Sequence, residues 1–375
     1  MLLQDFLEDS ARRLPDKVAL IHRGERLTYD AINRKANQIA ALLRSQGIRR
    51  GDRVAVFFDN SIEAVISLFG ILKADAVFLM LSPQLKPPKL AYILDNCGAK
   101  ALISDTGKIK NVPDVVPSAR ALEALILNDD RKKIDPGMHR NVIAWSETEN
   151  MPDSQADIRN ANIDIDLASI IYTSGSTGNP KGVMLTHLNM VSAATSITTY
   201  LENVPEDIVI NVLPLSFDYG LYQVLMTFKF GGTLVLEKSF VFPYEIVKRM
   251  SEEKVTGFPG VPTIFAILLQ MKDLKKYDLS SLRYITNTAA ALPVSHIKQI
   301  RHTFPQARLY SMYGLTECKR VSYLPPEELD RRPDSVGRGM PNEEVWIVDE
   351  SGNRLGPGAV GELVVRGSNV MKGYW

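Results

Sequence analysis

Residues 172–183 read Tyr172-Thr173-Ser174-Gly175-Ser176-Thr177-Gly178-Asn179-Pro180-Lys181-Gly182-Val183. The apolar pair Ile170-Ile171 just before them is of the kind that ends a buried strand. Glycines let backbone N–H groups turn toward an anion, hydroxyls add donors, and a lysine supplies a mobile positive charge. The combination points to phosphate binding. A Walker A loop closes on Gly-Lys followed by Ser or Thr, whose hydroxyl holds magnesium. Here Lys181 lies between Pro180 and Gly182, so the loop is not that of a P-loop kinase or GTPase. A flexible Gly/Ser turn is the bland reading, but linkers rarely join such a run to a strand and a Pro-Lys-Gly.

On both sides of this loop the pattern alternates between apolar runs and amphipathic stretches. Thr28 can cap a helix with Ile32, Ala36, Ile39 and Leu43 on one face, ending near Gly47. Residues 54–58 and 77–81 read as strands around a helix at 61–73. After the loop, strands are expected at 208–213, 233–236, 255–258, 283–286 and 309–312. Helices are expected at 219–230, 243–253 and 261–270. Continuous apolar strands between such helices predict mainly parallel sheets covered on both faces. Residues 105–165 are polar and irregular, and are expected to form a surface excursion between two lobes. From residue 343 the helices stop, and 345–348 with 363–365 predict a small antiparallel, partly barrel-like subdomain. The expected fold is α/β, with two βα lobes and this β subdomain, dividing at about 1–165, 166–342 and 343–375.

The chain has 375 residues, 45% hydrophobic and 23% charged, with a formal net charge of +1. This is ordinary globular composition, and the charge argues against nucleic acid as a principal partner. No apolar run is long enough to span a bilayer, and the acidic start, Met1 to Asp9, lacks a secretory signal's basic region. Cys97 and Cys318 fit neither a disulfide framework nor a zinc site, so a reducing cytoplasm is expected.

Three motifs carry a family resemblance: the loop at 172–183, Met312-Tyr313-Gly314-Leu315-Thr316-Glu317, and Gly361-Glu362-Leu363-Val364-Val365-Arg366-Gly367 with Gly373-Tyr374-Trp375 after it. In order and spacing the chain resembles the adenylate-forming superfamily of acyl-CoA synthetases, luciferases and peptide-synthetase adenylation domains. The resemblance implies ATP and Mg2+ as cofactors, and attack of a carboxylate on the α-phosphorus with loss of pyrophosphate. A thiol then accepts the acyl group, from free CoA or from phosphopantetheine on an acyl or peptidyl carrier protein. It implies that Thr173, Ser174, Gly175, Ser176, Thr177, Gly178 and Lys181 cradle the β- and γ-phosphates. Thr316 would contact the α-phosphate and Glu317 the magnesium ion; Glu317 also reads as a plain helix-entry acid. Tyr313 with Gly314 would meet adenine, as would the small-residue turn Asn287, Ala289 and Ala290. Tyr313 also reads as a core aromatic ending its strand.

For the acid, Asp218 matches the aspartate that amino-acid-adenylating members pair with the substrate ammonium. Its alternatives are a helix N-cap or the aspartate of some acyl-CoA ligases. Tyr219, Tyr222, Thr263, Ile285, Asn287, Met312 and Val321 would line the rest of a small, mostly apolar pocket. Cys318-Lys319-Arg320-Val321 resembles free-standing proline-adenylating enzymes; equally, Lys319 and Arg320 read as solvated surface. The resemblance also implies a Thr-Gly-Asp motif, a hinge and a small lysine-bearing domain, which these 375 residues lack. The expectation is that the chain holds ATP or an acyl-adenylate but adenylates poorly.

Overall fold

The computed structural model describes residues 1–129, 134–154, 161–173 and 178–375. A nine-stranded sheet runs in the order Arg338–Gly339, Ser322–Leu324, Arg308–Tyr313, Tyr284–Asn287, Gly257–Gly260, Ile208–Asn211, Thr233–Leu236, Val18–His22, Glu25–Thr28. It is parallel from Arg308–Tyr313 to Val18–His22 and antiparallel at both edges. An eight-stranded sheet runs Gly373–Tyr374, Lys181–Thr186, Leu167–Thr173, Val77–Met80, Arg53–Phe57, Ala101–Ser104, Ala124–Leu127, Val142–Ala144. It is parallel except where Lys181–Thr186 meets its two neighbours.

Strand Arg53–Phe57 illustrates why the parallel core forms. Val54 and Val56 join one buried apolar cluster, while Ala55 and Phe57 join another on the opposite face. Side chains alternate across a strand, so apolar residues at every position demand cover on both faces. The helix Tyr29–Ser45 starts where expected, with the Thr28 hydroxyl accepting from the Ala31 amide at 3.2 Å. It packs on the helix Ile62–Lys73 where Gly70 removes a side chain; a Cβ there would lie 2.4 Å from Ile39 Cγ2. The rings of Phe69 and Phe228 approach to 5.0 Å and join this pair to the helix Asp218–Phe230.

Three expectations need revision. Segment 105–165 is not wholly a surface excursion: Ala124–Leu127 is entirely buried and pairs parallel with Ala101–Ser104, and Val142–Ala144 extends the sheet. A four-residue apolar run flanked by polar loops gives too little periodicity to register in sequence. Sheet membership also does not follow the expected divide near residue 165. Val18–His22 joins the later strands, and Leu167–Thr173 joins the earlier ones. Beyond residue 343, Glu343–Val348 and Glu362–Gly367 pair antiparallel as expected, but form a hairpin rather than a partial barrel. Gly373–Tyr374 leaves that hairpin to pair with Lys181–Thr186.

Candidate active site

The glycine-rich run links two strands that pair antiparallel, with Thr173 opposite Lys181. The phosphate-type loop therefore tops a hairpin, not the strand-to-helix turn of a Walker A site. Ser174, Gly175, Ser176 and Thr177 lie outside the described residues. Gly178 has φ +110°, a value that favours glycine, with open space where a Cβ would stand. Lys181 is exposed, and its Nζ lies 5.5 Å from the centroid of the Tyr374 ring. The Tyr374 hydroxyl donates to Glu317 Oε1 at 2.8 Å, which raises its own pKa. Pairing of Gly373–Tyr374 beside Lys181–Thr186 thus brings the expected phosphate lysine and the expected magnesium carboxylate to one tyrosine.

Glu317 and Thr316 sit in the connection between the antiparallel strands Arg308–Tyr313 and Ser322–Leu324. Gly314 is required there, since a Cβ would fall 2.1 Å from the Lys319 carbonyl oxygen. On the adjacent strand Asn287 is buried, and its Nδ2 donates to the Ala290 carbonyl at 3.1 Å. Its Oδ1 is buried without a hydrogen-bond partner among the described residues. Ala289 adopts φ +73°, and Ala289, Ala290 and Ala291 are exposed. A ledge of small residues with an unpaired buried acceptor, next to half-buried Tyr313, fits a flat nucleobase. Among the described residues no three His, Cys, Asp or Glu side chains gather as a metal cluster. A lone Glu317 instead fits a magnesium ion ligated mainly by phosphates and water.

The acid pocket differs most from the sequence reading. Phe217 occupies the N-cap of the helix Asp218–Phe230, and Asp218 is its first helical residue. Asp218 is therefore not the cap. Its Oδ2 lies 3.9 Å from Arg320 Nη1. Arg320 is 3% exposed and its guanidinium lies 4.6 Å from the Tyr219 ring centroid; Lys319 is 1% exposed, with Nζ 5.6 Å from the Tyr222 centroid. The solvated-surface alternative for both cations is thereby excluded. Lys319 Nζ, Arg320 Nε and the Tyr222 hydroxyl have no hydrogen-bond partner among the described residues. Burial lowers the Lys319 pKa from 10.5 to about 8; the Asp218 charge opposes that fall and Arg320 adds to it. Tyr219 is satisfied, hydrogen-bonded to Thr286 through its carbonyl at 2.8 Å and its hydroxyl at 2.7 Å.

Ile285, Met312 and Val321 are buried, and Met312 Sδ accepts from the Tyr200 hydroxyl at 3.0 Å. Thr263 alone among the expected pocket residues is exposed, in the first turn of the helix Pro262–Gln270. Lys319, Arg320 and Thr286 contact residues expected at the acid site but were not selected in the sequence. The available signals for Lys319 and Arg320 were their adjacency to Glu317 and the likeness of 318–321 to proline-adenylating enzymes. Both cysteines are free and buried; burial pushes each thiol up to about 11, out of reactive range.

The chain belongs to the AMP-binding enzyme family, whose model matches residues 7–375. It is 32% identical over 395 residues to a long-chain-fatty-acid–CoA ligase of Bacillus subtilis (strain 168), covering 100% of this chain and 70% of that protein. It is 28% identical over 374 residues to gramicidin S synthase 2 of Aneurinibacillus migulanus, covering 99% of this chain but 8% of that much longer protein. The solved structure of VinN with L-aspartate is 32% identical with a TM-score of 0.85, covering 100% of this chain and 90% of that one. These relatives include acyl-CoA ligases and peptide-synthetase adenylation domains, and the chain shares their adenylate-forming fold. No helix among the described residues is long and apolar enough to cross a membrane.

Proposed function

We propose that this chain activates an amino acid bearing a second carboxylate. In the first step a carboxylate oxygen attacks the α-phosphorus of ATP, the α–β bridging bond breaks, and pyrophosphate leaves. In the second a thiol attacks the mixed anhydride and AMP departs. Thr173, Ser174, Gly175, Ser176, Thr177, Gly178 and Lys181 would hold the β- and γ-phosphates. Thr316 would meet the α-phosphate, Glu317 the magnesium ion, and Asn287, Ala289, Ala290, Tyr313 and Gly314 the adenine. The chain's role is positioning and charge neutralisation, and losing one such contact is worth on the order of 10²-fold in rate.

The carrying observation is the charge of the acid pocket. Asp218 can face a substrate ammonium only if the two buried cations beside it are also answered. Once its own carboxylate is joined to AMP, the narrower expectation, a prolyl group, would add a third positive charge against the one pocket carboxylate. An amino dicarboxylate pairs its ammonium with Asp218 and its spare carboxylate with Lys319 and Arg320, which leaves no cation isolated from an anion. Similarity to VinN, whose structure holds L-aspartate, supports this reading. The peptide-synthetase likeness favours phosphopantetheine on a carrier protein as acceptor. Likeness to the Bacillus CoA ligase favours a second reading, an uncharged acid and free CoA.

Calorimetric titration with aspartyl, prolyl and medium-chain acyl sulfamoyl-adenosines separates these readings. Aspartyl-selective binding supports the proposal. Prolyl-selective binding removes Lys319 and Arg320 from recognition, acyl-selective binding moves the assignment to CoA ligase, and absence of all three sinks adenylation.

A further inference from the structure

Lys319 adopts φ +64°, a left-handed conformation unfavourable for a side chain with a Cβ, and it does so in the loop that carries Glu317 and Arg320. Something must hold that loop. The observed ties come from segment 368–371, which follows the strand Glu362–Gly367 and belongs to none of the site motifs. The Met371 amide donates to the Glu317 carbonyl at 2.7 Å. Asn369, 1% exposed, directs its Nδ2 at the Cys318 carbonyl at 2.8 Å and the Arg320 carbonyl at 3.3 Å, one on each side of Lys319. The same nitrogen meets Glu343 Oε2 at 2.8 Å. The two carbonyls can only accept, so the amide must point its nitrogen at them. Segment 368–371 is itself anchored, because Asn189 Nδ2 donates to the Ser368 and Val370 carbonyls, both at 2.8 Å.

We propose that Asn369, braced by Glu343, is a positioning residue that sets Lys319 and Arg320 against Asp218 and so fixes which acid the pocket accepts. It touches no substrate. It acts by fixing the two peptide carbonyls that flank Lys319, which a buried amide holds more firmly than water would. Glu343 Oε2 supplies a further acceptor to the same amide and so braces it. The specificity half of this inference rests on the dicarboxylate reading above; the positioning half does not.

The test uses Asn369→Ala, Glu343→Leu and Glu343→Gln in the full 375-residue chain. Hydrogen exchange of the 317–321 amides, without ligand, reads positioning. Asn369→Ala and Glu343→Leu are expected to speed exchange there at least tenfold and leave distant strands unchanged. Glu343→Gln keeps an acceptor and is expected to behave as native. Calorimetry with aspartyl and asparaginyl sulfamoyl-adenosines reads specificity, since the asparaginyl probe differs only in lacking the second charge. Asn369→Ala is expected to shrink the native aspartyl preference about tenfold with AMP affinity unchanged. Unchanged exchange at 317–321 overturns the positioning role. Faster exchange with an unaltered aspartyl preference overturns the specificity role. A native chain with no aspartyl preference refutes the dicarboxylate reading and with it the specificity role, while the exchange data still decide positioning. If Asn369→Ala loses AMP affinity in equal measure, the residue is a general structural asparagine and the proposal fails.

Discussion

Replacing Lys319 by Met tests the pocket's electrostatics directly, because the native ammonium is buried without a hydrogen-bond partner among the described residues. Its pKa falls from 10.5 to about 8, chiefly by desolvation, and that difference corresponds to about 3 kcal/mol against the charged form. The contact over the Tyr222 ring returns about 0.5–2 kcal/mol. Met fills a similar volume without charge, so Lys319→Met is expected to stabilise the ligand-free chain by about 1–2 kcal/mol at pH 7. The sign of the pH dependence follows from linkage. Between pH 8 and 10.5 the unfolded chain binds more protons than the native one, so native stability rises with pH across that window. The advantage of Lys319→Met should therefore shrink from pH 8 upward. Thermal unfolding of both proteins at pH 7 and pH 10 measures it. With saturating aspartyl sulfamoyl-adenosine the order should reverse, since a ligand at 100 times its Kd adds about 2.7 kcal/mol to a protein that binds it. A Lys319→Met protein less stable than native at pH 7, or a gap independent of pH, would mean that Lys319 is a satisfied structural lysine. The charge argument for a dicarboxylate would then collapse.

Further outcomes follow from other residues. Asp218→Ala is expected to weaken aspartyl or prolyl sulfamoyl-adenosine by about 3 kcal/mol, roughly 100-fold, and to leave a medium-chain acyl probe nearly unaffected; calorimetry with the three probes measures the split. Gly314→Ala puts a Cβ 2.1 Å from the Lys319 carbonyl oxygen, so the 314–321 connection must open and adenylate-mimic binding should be lost while most of the fold survives, as circular dichroism would verify. His187 is buried, accepts from the Leu3 amide at Nδ1 at 3.1 Å, and has its pKa lowered from 6.5 to about 4 by burial. As pH falls from 6.5 to about 4 the unfolded chain takes up the proton first, so stability should fall by up to about 3 kcal/mol, and His187→Asn should flatten that part of the acid-unfolding curve.

Much of the fold was legible because its strands carry apolar residues at every position and its helices carry them on one face. Thr28 and the stripe Ile32, Ala36, Ile39 and Leu43 specified a helix without reference to anything distant. Ala124–Leu127 escaped because four apolar residues look alike in a loop and in a strand; only pairing with Ala101–Ser104 distinguishes them. The interleaving of the two sheets escaped for the same reason, since sequence gives the order of strands along the chain but not across a sheet.

In the site, residue types that carry chemistry by themselves were readable: the glycine-rich loop with Lys181, Glu317 after Thr316, and Asp218. What was not readable is burial of charge. Lys319 and Arg320 in a row look like any exposed pair, and nothing local tells that Gly314 lets the chain fold back upon them or that Asn369, fifty residues on, holds their carbonyls. A buried cation is unfavourable unless an anion answers it. Here Asp218 lies 3.9 Å from Arg320 Nη1, too long for a hydrogen bond, and Lys319 Nζ has no hydrogen-bond partner among the described residues. If the proposed dicarboxylate binds there, its spare carboxylate answers that imbalance. On the proposed reading the same imbalance that disfavours the ligand-free state would select the acid, and this links the stability of Lys319→Met to the choice of acid.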